Sequence, residues 1–431
     1  MHVILFTFML KEFTHTRSIS GAEEYRLTTN DLRVLVIPRR DVPVAGVMVT
    51  YHVGSRNEVP GTTGATHILE HLMFKGSTHF DPRKGRGTAE IIESTGALMN
   101  ATTWNDRTNY YEVSETRHVG DILALEADRM RNLLLREDDL AAEMVVVRNE
   151  YERWKNDPIQ QLSARLWDTA FHTHPYHYPT IGTKEDIEGT NVVELREFYD
   201  TFYWPNNATV TIAGDVSAEE ALPLVLRAFA HIPKGELPKH NIPTEPLQTK
   251  ENRLDYERTG TVHALGVAYK TPEGMHVDSP ALAVLTALLS DGKGSMLSQT
   301  FVDASHATSL HGMLSRFHDP GLLEFEILLT ENTQHADALA LFDSVVVNLK
   351  NSIPDADFLR ARVFAGAQAL YHRAALSDFI NSLNESLALG DWADVYSFAE
   401  RMHEVSKEDV LRVARIYLIP EGRTVANLIA T

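Results

Sequence analysis

The chain has 431 residues, 43% of them hydrophobic, too long for one ordinary compact core and suited to two domains of about 200 residues each. Its formal net charge of -19, from 59 acidic against 40 basic side chains, argues against a nucleic-acid backbone as partner and is compatible with attracting cationic peptides. With no cysteine, disulfides, thiolate metal sites and cysteine nucleophiles are excluded, and any metal must be held by histidine and carboxylate. Residues 1–10 are apolar but short, lack a basic start and lead into Lys11 and Glu12 with no Ala-x-Ala pattern. Residues 1–20 are therefore read as a lead-in, not as a signal peptide. No stretch approaches membrane-spanning length, so the reading is of a soluble, bacterial-type protein of either cytoplasm or periplasm.

In chain order, residues 32–38 and 44–53 read as β-branched strands. The Gly/Thr-rich loop 60–64 leads into a helix that carries Thr66, His67, Ile68, Leu69, Glu70, His71 and Leu72 and is expected to run to Lys75, with Gly76 as its cap. A short helix at 88–94, strands at 96–103 and 106–113 and a helix at 119–135 follow. Asp138 and Asp139 cap the next helix, which reaches the turn at Asp157 and Pro158. A further helix precedes the loop with His172, His174 and His177, and then come helix 192–202, strand 208–214 and helix 219–230. This pattern is α+β.

Residues 232–255, rich in Pro, Lys and Thr, read as a linker, after which the order of elements begins again with strand 262–268, helix 280–289, strand 322–329 and helices from 333 onward. Pro205-x-x-x-Thr209-Val210 recurs as Pro420-x-x-x-Thr424-Val425, an offset of 215 (420 − 205), which suggests an internal duplication. The same offset puts Leu282, Leu285 and Thr286 where His67, Glu70 and His71 stand. The expected organisation is thus a metal-binding domain over 21–231, the linker, and a homologous domain over 256–431 without ligands.

His67 and His71 lie one helical turn apart, so both imidazoles can reach one ion, with Glu70 beside them toward any water that the ion polarises. The order His-x-x-Glu-His is the inverse of the common metalloprotease helix. Catalytic zinc needs a further ligand and an open position. Glu143 and Glu150, two turns apart on one face, and Glu152 all remain open from spacing alone. Without that ligand the histidine pair also reads as two satisfied core residues. The loop with His172, His174 and His177 reads as surface, Gly292-Lys293-Gly294-Ser295 as a turn, and no Gly-x-Ser-x-Gly elbow occurs.

His67-x-x-Glu70-His71 with Phe74-Lys75-Gly76, then Gly96 and Asn100-Ala101-Thr102, then Val145-Val146-Val147-Arg148-Asn149-Glu150, resembles the pitrilysin/insulinase/mitochondrial processing peptidase family of zinc metallopeptidases. The resemblance implies two homologous α+β domains, each an antiparallel or mixed sheet packed with helices, arranged around a chamber. It implies one Zn²⁺ per chain held by His67, His71 and Glu150, with Glu70 activating a zinc-bound water and Glu143 assisting catalysis. It makes Asn100 and Ala101 part of an edge strand to which a peptide or unstructured polypeptide adds as an extra strand. Active members carry an Arg and a Tyr, four residues apart, in the second half, and the corresponding stretch 301–310 has neither. A homologous subunit that supplies the pair in a heterodimer is therefore expected, with a homodimer as the other arrangement. The alternative to a metalloendopeptidase subunit is a non-catalytic core or scaffold subunit, and a third reading is a soluble metal carrier.

Overall fold

The computed structural model describes residues 10–40, 42–238 and 242–431, and the reading of residues 1–9 lies outside them. The strands are β1 (Phe13–Ile19), β2 (Ala22–Leu27), β3 (Arg33–Pro38), β4 (Val44–Tyr51), β5 (Leu98–Thr103), β6 (Thr108–Glu115), β7 (Ala208–Gly214), β8 (Asn252–Arg258), β9 (His263–Lys270), β10 (Ala307–Leu314), β11 (Leu322–Leu329) and β12 (Arg423–Ala430). They form two mixed sheets packed with helices, as the α+β reading expected. Among the described residues no helix is long and apolar enough to cross a membrane.

The first unit comprises the described residues within 1–151, 179–242 and 374–388. Its sheet runs β1-β2-β3-β7-β4-β6-β5, with β3 and β7 parallel and the other neighbours antiparallel. β4 and β7 are buried on both faces, with Thr50, Thr209 and Thr211 buried among their apolar residues. Residues 13–19, expected as lead-in, form edge strand β1, in which Phe13 alone is buried, so the strand hides in a polar-looking sequence. The helix Leu376–Ala388 belongs to this unit and lies on β4: a Cβ on Gly46 would stand 3.1 Å from Ile380 Cδ1, so glycine permits the close approach.

The second unit comprises residues 152–178, 243–373 and 389–431, so the two units are not contiguous halves of the chain. Its sheet runs β10-β11-β9-β12-β8, with only β12 and β8 parallel. Written from the other end, β8-β12-β9-β11-β10 repeats β3-β7-β4-β6-β5 strand for strand. The two Pro-x-x-x-Thr-Val segments open β7 and β12, the equivalent central strands, each after a 3₁₀ turn. Here the helix Pro158–Ala170 covers the sheet, and Gly266 admits Leu166. No helix or strand occupies the described residues between Ile232 and β8, which begins at Asn252 within the range read as linker.

Candidate metal centre

The helix Ala65–Leu72 enters from Gly64, whose φ of +87° is left-handed, and a Cβ there would meet Ile181 O at 2.6 Å. A glycine N-cap offers no side-chain acceptor, so the first N–H groups of the helix must be satisfied from elsewhere. Glu58 does this: Gly64 N–H donates to Oε2 at 2.9 Å and Thr66 N–H to Oε1 at 2.8 Å. Burial pushes the Glu58 carboxyl up to about 7, against the opposing effect of those hydrogen bonds. Asp186 fixes the preceding loop, accepting from Thr63 N–H at 3.0 Å and from the Thr63 hydroxyl at 2.6 Å. Ile68, Leu69 and Leu72 are buried in the core of the first unit, and this turns His67, Glu70 and His71 to the half-open face. The helix ends at Leu72, three residues earlier than expected, because Phe74 N–H and Lys75 N–H bond three residues back in a tightened last turn.

Glu150, on the helix Glu137–Asn156, comes within 3.6 Å of His67 Nε2 and 3.4 Å of His71 Nε2 through the same oxygen. These separations exceed the roughly 2.7–3.2 Å of an N–H···O hydrogen bond. They approach the ~3.3 Å between neighbouring ligands of a tetrahedral ion bound at about 2.0–2.1 Å. One ligand atom from each of the three residues lies within 4.8 Å of the others, and among the described residues no other such trio exists. The donor set therefore fits zinc. Burial, then the neighbouring His71, lowers His67 to about 4, so its imidazole is neutral and able to donate a lone pair at neutral pH.

Glu143 stands one layer out. Its Oε2 accepts from His71 Nδ1 at 2.9 Å, which directs Nε2 of the same ring to the cluster, and its other oxygen pairs with Lys75. Burial favours the neutral acid here, but the hydrogen bonds from Lys75 and His71 outweigh it and hold Glu143 below the usual carboxylate range. Of the three glutamates left open by spacing, Glu150 faces both rings, Glu143 orients one of them, and Glu152 is exposed.

Glu70 is held at Oε2 by the Thr103 hydroxyl at 2.5 Å, and burial raises its carboxyl despite that bond. Thr103 ends β5, the last strand of its sheet, which pairs only with β6 among the described residues. On the same strand Asn100 is exposed, Ala101 is buried in the core, and the Ala101 N–H donates to Asn100 Oδ1 at 2.9 Å. Arg107 ties this end down, donating to Thr102 O at 2.9 Å and to Glu385. Glu58, Asp186, Lys75, Thr103 and Arg107 were not foreseen as site residues. Only the missing side-chain cap at Gly64 signalled that a distant acceptor was needed.

The second group of histidines is accounted for differently. His174 Nε2 meets Asp319 at 2.9 Å, His177 Nδ1 meets Asp168 at 3.4 Å, and Glu245 accepts the N–H groups of His172, Thr173 and His174. It is a braced loop in the second unit.

Comparison with known proteins finds the insulinase family, peptidase family M16, matched over residues 33–184 and the peptidase M16 inactive domain over residues 191–363. A zinc protease of Helicobacter pylori, PqqE, is 31% identical, with 94% of this chain and 92% of that protein covered. A probable mitochondrial-processing peptidase subunit beta of Arabidopsis thaliana is 26% identical, with 93% of this chain and 77% of that protein covered. Among solved structures, a Helicobacter pylori protease superposes with a TM-score of 0.88 at 28% identity, covering 95% of this chain and 100% of that one.

Proposed function

The chain belongs to the insulinase family of M16 peptidases, and from that premise we propose that it is a zinc-dependent endopeptidase subunit acting on peptides or unstructured polypeptides. The observation that carries this reading is the approach of one Glu150 oxygen to both imidazole Nε2 atoms at 3.6 and 3.4 Å, with Glu70 on the same helix face. His67, His71 and Glu150 hold one zinc per chain, and Glu143 with Lys75 keeps His71 in the ligating orientation. Zinc held there supplies Lewis acidity, polarising a carbonyl and making water acidic near neutral pH. Glu70 takes a proton from water as the water oxygen bonds to the scissile carbonyl carbon. It then delivers that proton to the amide nitrogen as the C–N bond breaks. The free edge of β5 around Asn100 and Ala101 receives the substrate as an added strand, a mode that reads backbone and tolerates varied side chains.

Residues 301–310 contain neither Arg nor Tyr, which supports a homologous partner that supplies this pair, in a heterodimer or, failing that, a homodimer. The complete donor set favours an enzyme over a scaffold subunit. The test is Glu70→Gln, assayed on a quenched unstructured peptide with and without a co-expressed homologue. The variant is expected to keep one zinc by elemental analysis and lose cleavage. A zinc-loaded Glu70→Gln protein with wild-type turnover refutes the assignment.

A further inference from the structure

We propose that Thr103 is a positioning residue for Glu70, and that through it the strand expected to receive peptide also sets the orientation of the base. The inference deepens the endopeptidase reading and rests on it. Among the described residues the Thr103 hydroxyl is the one side-chain donor to the Glu70 carboxylate, bonding Oε2 at 2.5 Å. That bond fixes the plane of the carboxylate and commits one of its two oxygens. Oε1 is left as the oxygen that can take a proton from water.

The position of Thr103 is itself tightly determined. On its N-terminal side Arg107 Nη1 donates to Thr102 O at 2.9 Å and to Thr102 Oγ1 at 2.6 Å, and Thr102 N–H donates to Asn109 Oδ1 at 3.1 Å. On its C-terminal side Trp104 N–H donates to Arg107 O at 2.9 Å. Arg107 is anchored in turn by Glu385, on the helix that covers β4. Thr103 pairs with Thr108 across β6, and its own side of the sheet edge is open among the described residues. The backbone asks only for a β-branched residue here, which valine would satisfy as well. The hydroxyl is therefore the atom that needs a reason, and Glu70 provides it. A peptide strand added to β5 stiffens the strand that carries Thr103 and so the hydrogen bond to the base, linking backbone recognition to catalysis without contact between peptide side chains and Glu70.

The experiment compares Thr103→Val and Thr103→Ser in the full chain with wild type and Glu70→Gln. Thr103→Val is expected to keep its zinc and its KM within twofold, since strand addition uses backbone atoms, and to lose kcat by about 10- to 100-fold, the scale of a misplaced catalytic group. Thr103→Ser is expected to recover most of that loss. A Thr103→Val kcat within twofold of wild type, equal defects in the two variants, or a loss matched by loss of zinc each overturns the proposal. Crystal structures supply a readout independent of turnover. Displacement of the Glu70 carboxylate in Thr103→Val, restored in Thr103→Ser, supports the proposal, and an unmoved Glu70 overturns it. If zinc-loaded wild type cleaves no peptide, the endopeptidase reading fails, and the two structures still decide whether Thr103 positions Glu70.

Discussion

Arg129→Met is the sharpest test of what holds the helix Val119–Arg131 against the sheet of the first unit. Arg129 is 1% exposed and sits between Glu112 of β6 and Glu126, both 0% exposed. It donates to Glu112 Oε1 at 3.1 Å and to Glu126 Oε2 at 2.9 Å, and its guanidinium lies 4.5 Å from the Tyr110 ring and 5.7 Å from that of Phe74, just beyond the motif helix. Methionine fills a similar volume but leaves two buried carboxyls without a counter-charge. Breaking one side of such a cluster costs about 3–5 kcal/mol. For a unit of this size that is a fall of about 6–20 °C in Tm. The sign with pH follows. Burial, then the neighbouring Glu126, raises the Glu112 carboxyl well above its ordinary value of 4.5 and Arg129 opposes this, so without Arg129 that carboxyl rises further, while the unfolded chain releases its proton above 4.5. The Tm gap from wild type should therefore not narrow as pH rises and should widen once the wild-type Glu112 carboxyl begins to ionise, measured by circular dichroism in chelator so that zinc binding does not enter. Glu112 Oε2 and Arg129 Nη1 are buried without hydrogen-bond partners, so the network is incompletely satisfied. Replacing all three residues with apolar ones should then recover most of the loss. A single variant that loses less than about 1 kcal/mol, or a triple variant no better than the single, refutes the reasoning.

Glu143→Gln offers one acceptor oxygen where the carboxylate serves both His71 and Lys75, and zinc affinity should fall about 10- to 100-fold in chelator competition. Glu150→Gln should lose more, and tight zinc in the latter would remove Glu150 from the ligand set. In the second unit Glu324 is 2% exposed, accepts from Ser163 at 3.1 Å and Trp167 at 3.2 Å, and is raised by burial to about 7. Between 4.5 and 7 the folded state holds a proton that the unfolded state has released, so this group removes up to about 3 kcal/mol of stability as pH rises from 5 to 8. Glu324→Gln should flatten the measured pH dependence by about a third, because Glu326 and Glu58, also raised to about 7, remain; an unchanged slope rejects the assignment.

The sequence makes the local features legible and hides the non-local ones. Helix 192–202 and strands 208–214 and 322–329 are read to the residue, because Asn191, Pro205 and, in the last, an apolar run interrupted only by Glu324 and Glu326 mark their boundaries within a few positions. β1 and β10 were not read as strands: they lie at sheet edges, and outward-facing Thr, Ser and His obscure the period of two. At the candidate site, the approach of His67, His71 and Glu150 agrees with the spacing and the family pattern. Thr103 and Glu58 act on partners 33 and six to eight positions away through bonds that no periodicity announces. Leu376–Ala388 could not be assigned to the first unit from sequence, because its amphipathic face does not say which sheet it covers.

The repeated strand order shows what the candidate metal site demands of its helix. In the second unit the equivalent helix, Ser279–Ser290, has Leu282, Leu285 and Thr286 at the positions given by the sequence offset, exposed by 1%, 0% and 6%. Thr286 satisfies its own hydroxyl on Leu282 O at 2.8 Å, so nothing polar is left over, and the helix is enclosed nearly all round. The helix Ala65–Leu72 cannot be enclosed in that way, because two imidazoles and a carboxylate buried together without an ion or solvent would go unsatisfied. Its His67 and His71 side chains keep 18% and 16% of their surface open, and Glu150 approaches both. The same strand framework can thus carry either a core helix or a ligand helix, and the choice rests on whether three side chains on one face are apolar or need an ion and water to satisfy them.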